Sequence, residues 1–291
     1  MGLEAKPARG TLYVVATPIG NLGDLAPRAR ELLAGVDAIL AEDTRHSRKL
    51  TSHYGITTAL EALHDHNEAA AVPALIERLR GGAALALISD AGTPLLSDPG
   101  FVLVRAARAA GVPVVAVPGP CAAIAALSVA GLPTDRFCFE GCLPARDAAR
   151  RERIDELSAE PRTLVFYESP HRLREALADL SEGFGAERPA ALARELTKLH
   201  EAVLGDTLGD LVRWSESDPH AAAGEVVLIV GGAQQAAVPG PGLDSDGVLR
   251  TLLAELPLKQ AVALAVKLTG EPRNALYERA LRIKQEDPTG V

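Results

Sequence analysis

The sequence predicts an α/β protein of two domains followed by a small helical unit. Three observations predict it. Strand-like and helix-like segments alternate along most of the chain, the pattern of sheets joined by crossover helices. The 291 residues exceed what one core usually organises. A Gly- and Pro-rich stretch without periodicity, around 231–247, then separates this alternation from three short helical patterns.

Residues 11–17 are apolar and β-branched, a buried strand stopped by Pro18 and Gly20. Asp24 is placed to cap a helix to about Ala34, with Pro27 in its first turn. A second strand, 36–41, ends on Glu42 and Asp43. Helix 68–80 closes at Gly81-Gly82 and is followed by strand 83–89. Asp98 starts a helix to about Ala110, and strand 112–117 stops at Pro118-Gly119-Pro120, where the halves divide. The second half predicts helices over 148–157, 171–180 and 208–215, and strands over 163–167, 189–194 and 225–230. Such alternation implies largely parallel sheets. Helical patterns at 248–254, 259–268 and 273–281 end the chain in a unit like a helix-turn-helix. The expected partition is a disordered tail over 1–9, α/β domains over 10–117 and 118–232, a linker over 233–247 and the helical unit over 248–291.

Composition narrows the function. Charged residues at 23% are ordinary for a globular protein, which confines disorder to the ends. No apolar run approaches the ~20 residues of a membrane span, and residues 1–10 lack a signal-peptide core, so a cytoplasmic protein is expected. Cys121, Cys138 and Cys142 form no disulfide framework and read as small buried side chains. His64 and His66 flank Asp65, but no second helix-spaced pair completes a metal site, and none is expected. A net charge of −8 argues against a broad nucleic-acid face. Two local runs oppose it: residues 44–53, with Arg45, His46, Arg48, Lys49 and His53 and no acid, and residues 146–153, with four arginines. Taken alone, each run is a solvated helix face.

Three predicted strand ends are rich in Gly and Pro: residues 16–24, 89–100 and 117–123. Ligands of open α/β sheets bind beyond the carboxyl ends of strands, and stiff loops present backbone groups at low entropic cost. One shared cleft is the economical reading. The sequence lacks a dinucleotide fingerprint, a P-loop and a nucleophile elbow. In the second half two polar clusters follow strands, Tyr167 to Arg172 and Arg194 to Glu201; such clusters are substrate-site candidates or merely caps and surface ion pairs.

Together these segments, in order from about Gly10 to Gly232, resemble the small-subunit ribosomal RNA methyltransferase I family of the tetrapyrrole methylase superfamily. The segments that carry the resemblance are Thr17-Pro18-Ile19-Gly20-Asn21-Leu22-Gly23-Asp24, Ala41-Glu42-Asp43-Thr44-Arg45, residues 89–100, Tyr167 to Arg172 and Arg194 to Glu201. The resemblance implies two α/β domains with S-adenosylmethionine in the cleft between them, and a homodimer. It implies 2′-O-methylation of a cytidine in the decoding region of the 16S rRNA of the small ribosomal subunit. By position it implies cofactor contacts at Pro18, Gly92, Thr93, Leu96, Cys121, Ala122, Tyr167, Glu168, Leu196 and Gly224. One stretch departs from the family pattern: Gly141-Cys142-Leu143-Pro144-Ala145-Arg146 has Cys where Phe is usual and Arg in place of Lys.

The adjacency of Glu195 and Lys198 in a polar strand-end cluster makes them candidates for proton acceptor and cation. Arg45, Arg48, Lys49 and Arg146 are candidates for RNA phosphate contacts. Two rival readings are a C-methyltransferase acting on a tetrapyrrole and a non-catalytic ribosome-associated protein that kept the fold. The acceptor of the methyl group separates the first from the RNA enzyme; failure to bind S-adenosylmethionine would mark the second.

Overall fold

A computed structural model of the chain describes residues 7–233 and 244–286. Residues 1–6 of the expected tail and 234–243 of the expected linker lie outside the described residues. The chain forms two compact units, divided between Ala233 and Gln234.

The described residues of the first unit form two five-stranded sheets. In chain order the first contains β1 (Leu12–Val15), β2 (Ala38–Ala41), β3 (Leu60–Ala62), β4 (Leu85–Ile88) and β5 (Val114–Val117). Their order in space is β3-β2-β4-β1-β5, and every pairing is parallel. The connecting helices are α1 (Pro27–Gly35), α2 (Thr44–His53), α3 (Glu68–Arg80) and α4 (Phe101–Ala109). Both faces of this sheet are covered. Residues of β1, β2 and β4 alternate between one core with Leu32, Leu33 and Leu50 and another with Leu75, Leu79 and Leu103, which is why these strands read as continuous apolar runs.

Two helix starts differ from the sequence reading. Asp24 does not cap α1; it ends a 3-10 turn, Leu22–Asp24, whose cap is Asn21, and Pro27 opens α1 after Ala26. Asp98 does not start α4, which begins at Phe101 after Gly100 at φ +121°. One amide of the first turn of α4 is satisfied from elsewhere: the buried Glu68 carboxylate accepts from the Leu103 amide at 2.9 Å. A capping acid supplied by another helix leaves no local sequence signal.

The second sheet contains β6 (Phe137–Cys142), β7 (Thr163–Glu168), β8 (Ala190–Arg194), β9 (Ala202–Leu204) and β10 (Val226–Val230), in the order β6-β7-β10-β8-β9. Only β6 and β7 pair in parallel; β10 is antiparallel to both neighbours, and β8 and β9 form a hairpin. The expected parallel arrangement therefore holds for the first sheet and fails for the second. The seven residues between β8 and β9 are too few for a crossover. Helices α6 (Asp147–Leu157), α7 (Leu173–Phe184) and α8 (Leu208–Ser217) cover one face, and α5 (Ala122–Val129) covers the other.

The thiols also differ from expectation. Cys121 and Cys138 are half-buried and Cys142 is exposed, at the end of β6. A bulge between Phe139 and Gly141 shifts the strand register there.

The described residues of the second unit form three helices, α9 (Ser245–Glu255), α10 (Leu258–Thr269) and α11 (Arg273–Glu286), around Leu249, Val262, Ala265, Leu276 and Ala280. No helix of the described residues is long and apolar enough to cross a membrane.

Candidate active site

The three Gly- and Pro-rich strand ends converge. Thr17 after β1 and Gly92 after β4 exchange backbone hydrogen bonds of 2.8 and 3.1 Å. The Thr93 hydroxyl donates to the Pro120 carbonyl at 3.0 Å, which ties the second loop to the third. The third loop runs into α5, where the Ala123 amide donates to the Tyr167 hydroxyl on β7 at 3.2 Å. The first loop also reaches the second sheet: a Cβ on Gly20 would lie 2.6 Å from Lys198 Cγ and 3.0 Å from the Leu196 carbonyl oxygen. Only glycine allows that approach.

These loops enclose a cavity of about 250 Å3 between the two sheets. Of the expected cofactor residues, Gly92, Thr93, Leu96, Ala122, Tyr167, Glu168 and Leu196 line it. Pro18 lines a neighbouring cavity instead. Cys121 precedes α5 and packs against the same apolar cluster as Ala122 and Tyr167. Gly224, at φ +84°, lies against Glu195, whose Oε1 a Cβ there would meet at 2.7 Å.

Ile19, Ser97 and Asp98, within the loops expected to form the cleft but not singled out there, also line the cavity, as do Ala193, Glu225 and Val227, which sequence reasoning missed. Ala193 and Val227 are core residues by composition, and only the strand order brings them to a cavity wall. Asp98 had a signal, an acid beside the Gly- and Pro-rich loop, but it reads equally well as a helix cap.

Four non-glycine residues of the described chain have left-handed backbones: Leu95, Ser97, Glu195 and Thr197, at φ +75°, +68°, +50° and +67°. All four lie in loops that face this cavity or flank it. Strain of this kind, of order 1–3 kcal/mol per residue, persists where the surroundings over-determine the conformation.

The carboxylates divide into two kinds. Glu168 is held in place: it accepts from Arg172 Nε and Nη2, both at 2.9 Å, and from the Ser169 amide at 2.7 Å. Arg172 also donates to the Leu143 carbonyl at 2.7 Å, so this pair holds β7 to the end of β6. Glu195 accepts from the Glu225 amide at 2.8 Å and from Lys198 Nζ at 3.0 Å; the amide, aided by the ammonium, holds its carboxyl below the usual range. Lys198 also pairs with Glu225 at 3.2 Å. Glu195 and Lys198 therefore sit beside the cavity, joined to each other, and neither lines it.

Asp98 differs. Burial, with smaller contributions from Asp90 and Asp65, pushes its carboxyl up to about 6, against the opposing hydrogen bond of Ser89. Between 3.8 and about 6 the folded protein holds a proton that the unfolded chain releases, so stability falls as pH rises through that window and the cost is complete above it. Asp98→Asn is expected to raise the thermal midpoint at neutral pH, with the gain vanishing below pH 3.8. An equal gain at both extremes in thermal scans would refute the assignment.

The basic residues lie on exposed surface. Arg45, Arg48 and Lys49 occupy the outer face of α2, while Ser47, Leu50 and Thr51 face inward. Arg45 is already paired with Asp43 at 3.0 Å. Arg146 is exposed at the start of α6.

The matches with known proteins agree with this architecture. Residues 11–212 match the model of the tetrapyrrole (corrin/porphyrin) methylases. The chain belongs to the tetrapyrrole methylase family. Residues 240–284 match the model of the RsmI C-terminal HTH domain. The chain is 56% identical over 276 residues to ribosomal RNA small subunit methyltransferase I of Pseudomonas aeruginosa, covering 94% of this chain and 97% of that one. Its Escherichia coli O157:H7 counterpart is 52% identical over 280 residues, covering 96% and 97%. Among solved structures, uroporphyrin-III-C-methyltransferase from Thermus thermophilus aligns with a TM-score of 0.52 at 26% identity, over 77% of this chain and 94% of that one. The methyltransferase CobJ aligns with a TM-score of 0.58 at 22% identity, over 77% and 95%, a likeness of fold alone. Within the tetrapyrrole methylase family, the relatives named for ribosomal RNA match nearly end to end, whereas the solved structures leave about a quarter of the chain uncovered.

Proposed function

We propose that this chain transfers the methyl group of S-adenosylmethionine to the ribose 2′-hydroxyl of a cytidine in the decoding region of small-subunit 16S rRNA. The observation that carries the reading is the 56% and 52% identity, over nearly the whole length, to relatives named ribosomal RNA small subunit methyltransferase I.

The cavity fits the cofactor. Ile19, Leu196 and Val227 offer apolar walls for an adenine and an aliphatic chain, and the loop that Gly92 ties to Thr17 offers the backbone groups of its other residues, such as Thr93. Asp98 and Glu225 bring negative charge that suits a sulfonium and an ammonium. Gly92, Thr93, Leu96, Ala122, Tyr167, Glu168 and Leu196 hold the cofactor in this reading, with Pro18, Cys121 and Gly224 shaping its surroundings. When bound, S-adenosylmethionine supplies a methyl group already activated on sulfur.

The chain's own work is positional. Holding the ribose oxygen in line and excluding water is worth about 7–11 kcal/mol. In this reading the Lys198 ammonium, beside the cavity and paired with Glu195 and Glu225, stabilises negative charge developing on that oxygen. Glu195 is the nearby proton acceptor, but its lowered pKa makes it a weak base, so orienting Lys198 is its larger contribution. Arg45, Arg48, Lys49 and Arg146 contact RNA phosphates, which makes binding salt-dependent in spite of the acidic total.

Cytoplasmic location and a homodimer belong to the same reading. Phe101 and Val102 on α4, Val115 on β5, and Ile124 and Val129 on α5 are exposed apolar residues. β5 is also an edge strand. A second copy covering this surface removes both liabilities. Sedimentation at twice the chain mass is the expected result; a monomer at all concentrations would contradict it.

The decisive experiment supplies methyl-labelled S-adenosylmethionine and small subunits from cells lacking this activity, then maps the label. Label on one cytidine 2′-oxygen is expected. Label on an added tetrapyrrole and none on the subunit would replace the reading.

A further inference from the structure

Beside the cofactor cavity lies a second one, of about 260 Å3, between the first loop and α2. The two share a wall. Pro18 lines one and Ile19 the other; Asp90 lines one and Ala91 the other. The Thr17–Gly92 backbone pair runs between them.

Three features of the second cavity point to a flat, polar-edged ligand. Its sides are apolar, formed by Pro18, Leu22 and Leu50. Leu22 is fixed by its carbonyl, which accepts from the Tyr54 hydroxyl. Ser47 lines it and is only 2% exposed, yet its Oγ has no hydrogen-bond partner among the described residues. A buried hydroxyl without a partner costs free energy, and a ligand edge that bonds it removes the cost. Asp90 lines it too. One oxygen, Oδ1, accepts from the Asp43 amide at 3.1 Å, and the carboxylate keeps further lone pairs for a donor. His46 and Lys49 form part of the lining and are exposed at the surface.

We propose that this cavity receives the unstacked base of the substrate nucleotide, and that Asp90 and Ser47 select a base bearing an exocyclic amino group. The inference rests on the RNA methyltransferase reading above and adds the part of the chain that reads the base. RNA-binding proteins recognise single-stranded bases by splaying them between flat or apolar faces and bonding their edges. A carboxylate accepts from the amino group of cytosine and repels the carbonyl that uracil carries at the same place. The unpaired Ser47 hydroxyl either donates to a ring acceptor or accepts from the amine. With the base here, its ribose lies at the shared wall, toward the cofactor cavity, and its phosphates lie toward Lys49 and the outer face of α2.

The test measures methyl transfer to small subunits carrying either the natural cytidine or a uridine at the target position, alongside S-adenosylmethionine affinity and thermal midpoint. Ser47→Val, which fills the cavity, is expected to lower kcat/KM about tenfold or more with cofactor affinity unchanged. Ser47→Ala, which tests the hydroxyl without crowding, is expected to lose severalfold. Asp90→Asn keeps the bond to the Asp43 amide and adds a donor. It is expected to shift the cytidine-to-uridine preference about tenfold or more toward uridine. Variants that fold and transfer like wild type on both substrates would overturn the proposal. So would losses matched by equal losses in cofactor affinity, which would assign both residues to the cofactor site. If wild-type protein methylates neither subunit, the functional reading itself fails and this inference with it.

Discussion

Replacing Asp179 with alanine is expected to destabilise the first unit by about 3–5 kcal/mol, because it strands a buried charge. Arg150 is 3% exposed, and its Nε donates to Asp179 Oδ2 at 2.6 Å. Asp147 at 3.1 Å and Glu175 at 3.6 Å add partners from the surface side, and Arg151 reaches the other Asp179 oxygen at 3.0 Å. The pair joins α6 to α7 over the second sheet, far in chemistry from the cavity. Removing the carboxylate leaves the guanidinium desolvated, with Asp147 and Glu175 mostly in water and able to offset little. The double variant Arg150→Met, Asp179→Leu is expected to recover most of the loss, since well-packed apolar replacements of buried pairs are often neutral. Urea unfolding of the three proteins decides it. A loss under 1 kcal/mol for Asp179→Ala would show that the pair is solvated in solution.

The second large effect is expected at Gly92, where valine should weaken S-adenosylmethionine binding by about 10- to 100-fold. Gly92 has φ +83°, and a Cβ there would meet Ile19 Cγ2 at 3.2 Å. A β-branched side chain at positive φ is strained in any surroundings. Here the strain falls on the residue whose amide and carbonyl both bond Thr17. Relieving it breaks the link between the first two loops and displaces Ile19 from the cavity wall. Gly92→Ala should show a smaller loss. Calorimetric titration is the check, and a dissociation constant within about twofold of wild type for Gly92→Val would mean that these loops do not contact the cofactor.

The first sheet was legible because its strands are buried on both faces and its helices carry one apolar face. The spacing returned β1, β2, β4, β5 and α3 closely. Elements without a periodic signal were lost. The helix α5, Ala122–Val129, is apolar all round, so no 3.6-residue stripe marks it. β6 is half-exposed and bulged, and β3 and β9 are three-residue edge strands. Strand direction in the second sheet was illegible, because alternation records that strands and helices follow each other and not where β10 inserts. In the site the loops were legible as loops, since Gly and Pro advertise special backbone. The partition between two cavities was not. Adjacent residues, Pro18 and Ile19 or Asp90 and Ala91, line different spaces, and one-dimensional spacing cannot resolve that.

The left-handed backbones of Leu95, Ser97, Glu195 and Thr197 carry a consequence for engineering. Glycine at any of these positions would relieve local strain and is an obvious choice for a more heat-tolerant variant. It would also let the loops wander before the cofactor arrives. The freedom gained by the empty protein must then be surrendered on each turnover, so affinity falls as the melting point rises. Thermostability is therefore better sought in the helices distant from it, where rigidity and catalysis do not compete.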